Sequence, residues 1–194
     1  SEMCIRDSCM CGIAGYFNPD QNYAENPKQN FHTLSRMINT MNHRGPDTYG
    51  HTIINSCCLA HTRLSIIDLE NGRQPMSYTK DGNTYYIVYN GEIYNYKEVK
   101  KTLLRKNYTF ETNSDTEVII AAFCHYGPGF VKELNGIFAI AIYDSMRNTL
   151  YLYRDRFGVK PLYYTKTGDT LVFASRIDTL FEYCLLYTSP SPRD

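Results

Sequence analysis

Cys11 is followed by Gly12, Ile13, Ala14 and Gly15, small apolar neighbours that ordinarily make a cysteine a packing residue. Met10 stands before it, and an initiator methionine ahead of so small a side chain is readily trimmed. Trimming would leave a thiol and a free α-amine on the same residue. Such an amine has an unperturbed pKa of about 7.7–8.0, against about 10.4 for lysine, so at neutral pH it can accept the thiol proton. One residue would then supply both nucleophile and base. Other candidates are more ordinary when taken alone. Arg63 reads as a surface arginine in a salt bridge. Asp115 reads as a first-turn aspartate complementing a helix dipole behind the cap Ser114. Asn90-Gly91 is a favoured tight-turn dipeptide, and residues 44–47 (Arg-Gly-Pro-Asp) also read as a turn.

The elements that must hold these residues alternate between strand-like and helix-like segments, with no internal repeat. Phe31, Leu34, Ile38 and Met41 recur at helical spacing, which predicts a helix over 31–41 with these four on one face. A second helix is expected over 96–106, with Asn95 and Glu98 as a capping box. A third is expected over 118–126, with Ser114 and Glu117 as its box and Gly127 as its stop. Strands are expected over 12–17, 85–89, 137–144, 149–154 and 171–174. In 137–143 both alternating sets are apolar, so that strand should be covered on both faces. Together these features predict a layered α+β sandwich of stacked sheets between helices.

Composition narrows the class. With 194 residues, 43% of them hydrophobic, the chain can bury one sizeable core. Twenty basic and twenty acidic residues give a net charge of zero, which argues against nucleic acid or an anionic membrane surface as partner. The longest apolar stretches fall far short of the ~18–20 residues that cross a bilayer. Seven cysteines is an odd count, and Cys4, Cys9 and Cys11 lack the paired spacing and matching histidines of a zinc site. Neither a disulfide framework nor a metal centre is expected, and the reading is a reducing, cytoplasmic compartment. Residues 1–9 have no periodic apolar pattern and no signal-like core. Residues 184–194 end in a polar, Pro- and Ser-rich run. The expected organisation is therefore a non-native extension over 1–10 that includes the initiator, a catalytic domain over 11–183, and a disordered non-native tail over 184–194.

Six fragments occur in order: Cys-Gly-Ile-Ala-Gly from Cys11, Arg-Gly-Pro-Asp from Arg44, His-Thr-Arg-Leu-Ser-Ile-Ile-Asp from His61, Tyr-Asn-Gly-Glu-Ile-Tyr-Asn from Tyr89, Ser-Asp-Thr-Glu from Ser114, and Arg-Asp-Arg-Phe-Gly-Val-Lys-Pro-Leu-Tyr from Arg154. Each is weak alone, but the ordered set, which covers roughly residues 11–180, is specific. It resembles the class II glutamine amidotransferases, in the branch of the glutamine-hydrolysing asparagine synthetases. The resemblance implies a four-layer αββα N-terminal-nucleophile hydrolase sandwich with Cys11 as nucleophile. By the same resemblance Arg63 holds the α-carboxylate of glutamine, for which a planar bidentate guanidinium is suited, and Asp115 pairs with the α-ammonium. Backbone groups of Ser65, Ile66 and Ile67 line the pocket. The Asn90 amide and the Gly91 N–H form the oxyanion hole, Glu92 touches the amino group or supports the turn, and Arg44 has a positioning role.

The chemistry so implied is hydrolysis of L-glutamine through a Cys11 thioester, with the Cys11 amine as base and no metal or organic cofactor. Ammonia would pass to a carboxy-terminal synthetase domain that uses ATP and magnesium to amidate aspartate. The Ser-Gly-Gly stretch expected of that domain is absent here, and a homodimer of the full-length protein is left open. The family usually has glutamate where Arg176 stands, which puts an interdomain contact in doubt. Leu64, in a chain without tryptophan, favours the asparagine synthetase branch over the glucosamine-phosphate and purine branches. Two alternatives stay open: the amidotransferase domain of another amide-forming enzyme, and an inactive glutamine-binding or scaffold module if Cys11 remains blocked.

Overall fold

The computed structural model describes residues 11–41, 48–63 and 73–188, apart from the side chains of residues 48, 63 and 186–188. The chain divides into two compact units, Ser1–Leu64 with Leu162–Asp194, and Ser65–Pro161.

The first unit is built on a five-stranded antiparallel sheet in the order β2-β3-β1-β9-β8, formed by β1 (Gly12–Phe17), β2 (Thr48–Ile54), β3 (Cys57–Arg63), β8 (Tyr163–Thr167) and β9 (Thr170–Ala174). β1 is central, paired to β3 from Gly12↔Thr62 to Phe17↔Cys57 and to β9 from Ala14↔Ala174 to Phe17↔Leu171. Helix α1 (Pro27–Met41) begins one turn before the expected 31–41. Pro27 suits a first turn, where its missing N–H costs nothing, and Asn30 N–H already reaches the Asn26 carbonyl. Leu34, Met37, Ile38 and Met41 are buried with Ala14, Tyr16, Cys58, Ala60, Val172 and Ala174. Phe31, expected on that face, is instead 39% exposed and packs its ring against His51 at 4.8 Å. The buried position one residue earlier is Asn30, whose Oδ1 accepts from Tyr16 Oη at 2.9 Å and whose Nδ2 donates to the Tyr23 carbonyl at 2.8 Å.

The last helix, α4 (Ile177–Thr188), corrects the expectation of a disordered tail from residue 184. Leu180 and Tyr183 are buried in the same core, and Cys184 meets the Thr167 hydroxyl at 3.4 Å, so helical order continues past residue 183. Arg36 pairs with Glu182 at 2.8 Å and Thr40 with Thr179 at 2.6 Å, fixing α4 against α1. Arg176 is occupied locally, gripping both oxygens of Asp178 at 2.8 and 2.6 Å.

The second unit has a four-stranded antiparallel sheet in the order β4-β5-β6-β7, formed by β4 (Met76–Lys80), β5 (Asn83–Ile93), β6 (Gly136–Asp144) and β7 (Thr149–Arg154). Helices α2 (Tyr96–Leu104) and α3 (Asp115–Tyr126) complete it. Val118, Ile119, Ile120 and Phe123 of α3 share a core with Ile87, Tyr89 and Ile93 of β5 and Phe138, Ile140 and Ile142 of β6. Ala139, Ala141 and Tyr143, on the other face of β6, are equally buried, as the two apolar sets required. Burying one such side chain is worth about 1.5–3 kcal/mol, so this strand anchors the unit.

Two capping expectations change. Asn95 makes no side-chain cap; its Nδ2 donates to the Glu133 carbonyl and its Oδ1 accepts from Asn135 N–H, so it ties α2 to the start of β6 instead. Ser114 does cap α3, accepting from Thr116 N–H at 3.1 Å. Glu117 does not reach back to it. Its carboxylate takes the N–H groups of Glu111 and Thr112 and the Thr112 hydroxyl, which binds the preceding loop to the helix. Gly127 ends α3 at φ 69°, as expected.

Candidate active site

Each unit carries part of the constellation. In the first, Cys11 is partly exposed at the mouth of the central strand. The strand is pinned directly behind it: Gly12 N–H donates to Thr62 Oγ1 at 3.0 Å, Ile13 N–H donates to Ser175 Oγ at 3.0 Å, and Ser175 N–H donates to the Ile13 carbonyl at 2.8 Å. A β-carbon on Gly12 would lie 2.8 Å from Met41 Sδ and 2.9 Å from Thr62 Oγ1, so only glycine fits at this packing. One step beyond the Gly12↔Thr62 pair, the register sets Cys11 across from Arg63. The backbone thus aligns the expected nucleophile with the expected carboxylate ligand. The other described cysteines of the strands and of α3 suit nucleophilic work poorly. Burial pushes the thiol of Cys57 well up, and it pushes those of Cys58 and Cys124 up to about 12. Arg44, Ser65, Ile66, Ile67 and the Arg63 side chain lie outside the described residues.

In the second unit Asn90-Gly91 forms no turn. β5 runs straight through it, with Asn90 opposite Ala139, Gly91 opposite Phe138 and Glu92 opposite Ile137. A β-carbon on Gly91 would collide with the Ile137 carbonyl and lie 2.8 Å from Phe138 Cα, so glycine is needed for close passage of β6 rather than for a bend. Glu92 is exposed, and there is no turn for it to support.

Alternate N–H groups of a strand face opposite edges. The Phe138 carbonyl accepts from Asp155 N–H and the Phe138 N–H donates to Asp155 Oδ2, both on the β7 side, so its partner Gly91 points its N–H away from β6. Tyr89 and Ile93 share that orientation. On this edge β4 ends at Met76, opposite Ile87, and among the described residues no strand runs beside the next three outward N–H groups. Tyr89 N–H is taken by Gln74 Oε1 at 2.6 Å, and the Ile93 N–H acts on the Asp115 carboxylate by favouring its charged form. Gly91 N–H lies between them. Asn90 itself is only 4% exposed, and its Nδ2 has no hydrogen-bond partner. A buried amide donor left unpaired costs about 1–3 kcal/mol, so it marks a place where a ligand oxygen would be welcome.

Asp115 sits at the first turn of α3, with Tyr89 Oη donating to its Oδ2 at 2.9 Å. Burial pushes its carboxyl above the ordinary aspartate range. The Tyr89 hydroxyl and the N–H groups of Ile93 and Thr116 offset part of that. Among the described residues no lysine or arginine forms an ion pair with it, so an incoming ammonium would find an anion without a salt-bridge partner. Sequence reasoning assigned no role to Gln74, Tyr89, Thr62 or Ser175. Tyr89 stood inside a quoted motif, but nothing in its spacing disclosed the Asp115 contact, and Gln74 depends on where β4 ends.

The chain matches the family described as glutamine amidotransferase domain over residues 10–192. It is 40% identical to asparagine synthetase [glutamine-hydrolyzing] 3 of Bacillus subtilis and 44% identical to asparagine synthetase [glutamine-hydrolyzing] 2 of the same organism. Each match covers 90% of this chain, but only 28% and 22% of those proteins. It is also 36% identical to amidase chyE of Penicillium rubens over 91% of this chain and 27% of that protein. The chain therefore spans about a quarter of the length of these curated relatives. Among solved structures, the glutamine phosphoribosylpyrophosphate amidotransferase of B. subtilis superposes with a TM-score of 0.68 at 19% identity, covering 90% of this chain and 44% of that one. This likeness shows the fold class, the α+β N-terminal-nucleophile hydrolase sandwich. With the fold, the strand-borne cysteine and the ordered motifs in agreement, the chain belongs to the glutamine amidotransferase domain family, class II, whose members here include glutamine-hydrolysing asparagine synthetases.

Proposed function

We propose that this domain hydrolyses L-glutamine to glutamate and ammonia. The observation that carries the reading is the buried, unpartnered Asn90 amide beside the outward Gly91 N–H, two donors with nothing to bind until a carbonyl oxygen gains charge. In this reading the α-amine of a mature Cys11 takes the thiol proton, and sulfur attacks the glutamine side-chain amide. The tetrahedral oxyanion is held by Asn90 and Gly91, and ammonia leaves with a proton from the same amine. Water then attacks the γ-glutamyl thioester, with the amine again as base, and glutamate departs. Arg63 and Asp115 hold the α-carboxylate and α-ammonium, with backbone of Ser65, Ile66 and Ile67, Glu92 and Arg44 around them.

The proposed destination of the ammonia is a carboxy-terminal synthetase domain that amidates aspartate with ATP and magnesium, in the cytoplasm. The relatives' names support this branch. The amidase relative keeps a second acceptor chemistry in play, amide formation on another acid, and supplying acceptors to the full-length protein separates the two.

The mechanism needs a free amine at Cys11, and with residues 1–10 attached that nitrogen belongs to a peptide bond. The 194-residue chain is expected to fold and be inactive, while a chain beginning at Met10 is trimmed and hydrolyses glutamine. Both are expressed, their amino termini confirmed by mass spectrometry, and glutamate measured at matched concentration. Equal activity from a chain proven to retain Ser1 would overturn the amine-as-base mechanism.

A further inference from the structure

Past Met76 no strand among the described residues runs along the edge of β5, and yet the first of its outward N–H groups, that of Tyr89, is accepted by the Gln74 side chain. A neighbouring strand would have offered a carbonyl every second residue and filled the Gly91 position as well. A side chain accepts once and stops. Gln74 also reaches the other way, its Nε2 donating to Thr116 Oγ1 at 3.4 Å, while Tyr89 Oη meets Asp115 Oδ2 at 2.9 Å. Gln74, Tyr89, Asp115 and Thr116 thus close a ring that joins β5 to the first turn of α3.

We infer that Gln74 is a positioning residue for the oxyanion donor: by capping Tyr89 N–H it fixes the peptide plane two residues before Gly91 and leaves the Gly91 N–H open on that edge. This rests on the glutaminase reading above. The contact acts on a donor that stabilises the transition state, so its loss lowers turnover rather than substrate affinity. Asp115 lies at the other end of the ring, so the groups proposed to hold the amino-acid end and the oxyanion end of glutamine are set by one hydrogen-bonded unit.

The test compares Gln74→Met, which keeps the length but not the acceptor, with Gln74→Glu, which keeps an acceptor for Tyr89 N–H and can take the Thr116 hydroxyl as donor. Gln74→Ala serves as a second acceptor-less variant should the methionine disturb packing. Amide exchange of Tyr89 is read on the 194-residue chain, and kcat and KM on the same chain processed to begin at Cys11. Without the acceptor, Tyr89 N–H should exchange at least ~10-fold faster, and kcat should fall about 10-fold, less than the 10²–10³ expected on deleting a donor outright. KM should stay within about 2-fold, and Gln74→Glu should return both readouts to within about 3-fold of the parent. Unchanged exchange in Gln74→Met and Gln74→Ala would overturn the capping contact, and faster exchange with unchanged kcat would overturn its role in positioning. A parent enzyme that forms no glutamate overturns the glutaminase reading and the positioning role with it, while the exchange data still decide the capping contact.

Discussion

Tyr89 donates its hydroxyl to Asp115 Oδ2 across 2.9 Å, joining the strand that carries Asn90-Gly91 to the helix turn proposed to receive the substrate ammonium. The bond partly offsets a carboxylate that burial makes costly, and the pH behaviour of the fold follows from that balance.

Because burial raises the Asp115 carboxyl above its unfolded value, the fold favours the protonated form. The stability this contributes is fully present below the ordinary aspartate pKa of ~3.9 and is lost as pH rises through the raised value. Asp115→Asn, neutral at every pH, should therefore melt higher than the parent at neutral pH, with the gap closing as acid is added. The same change removes the charged partner of the ammonium and should raise KM for glutamine roughly 10- to 100-fold, the size of one charge-assisted hydrogen bond. Thermal melts between pH 3 and 7, run beside steady-state kinetics, check both. A lower melting temperature at neutral pH would contradict the argument.

Asn90→Ala is expected to lower kcat by about 10²–10³ with little change in KM. Since the buried Nδ2 has no partner in the free protein, deleting it should cost no stability beyond the small cavity it leaves. If KM alone rose, Asn90 would be a binding group and not an oxyanion donor.

Cysteine reactivity should be sharply divided. At pH 7.5 an alkylating agent should modify Cys11 while Cys57, Cys58 and Cys124, with thiols held protonated by burial, stay unmodified for as long as the fold holds. Cys11→Ala should abolish ammonia release, and Cys57→Ala, Cys58→Ala and Cys124→Ala should each retain it. Peptide mass mapping after a brief pulse of reagent reads the pattern, and rapid labelling of Cys124 in folded protein would refute it.

Asp155 opens the loop after β7, accepting the N–H groups of Phe138 at 3.3 Å, Phe157 at 3.1 Å, and Val159 and Lys160 at 3.0 Å each. Burial acts to raise its carboxyl, and the four N–H donors outweigh it, leaving the group below the usual range. Its contribution is present above the ordinary aspartate pKa and lost as pH falls through the lowered value. Asp155→Ala should destabilise the domain by about 2–4 kcal/mol at neutral pH, since several donors lose their acceptor together. Urea unfolding at pH 7 and pH 3 measures this, and the difference between variant and parent should shrink in acid.

Much of the fold was legible because its strongest patterns are local. The strands at 12–17 and 149–154 form as expected, and Gly127 stops α3 where a left-handed residue was needed. What sequence misread was the partner of each polar group. Asn95 has the spacing of a cap but spends its amide on the chain before β6, and Glu117 serves the loop ahead of its helix rather than Ser114. Such choices depend on segments forty residues away, or on a loop path that no periodicity encodes. Asn90-Gly91 is the clearest instance. As a dipeptide it signals a turn, while in the fold the glycine is required because β6 passes too close for a side chain. The ordered motifs nominated the candidate site residues, but the reason Gly91 is open lies in where β4 stops.

The side-chain caps on β5 have a consequence for solution behaviour. A strand edge with consecutive unpaired N–H groups is a template on which another extended chain can add itself. Gln74 covers the first group past Met76 and the Asp115 carboxylate acts on the third, that of Ile93, so the amide left between them cannot by itself register a second strand. Removing both caps at once would restore a continuous edge, so the double variant should tend toward self-association and aggregation even where each single variant remains monodisperse.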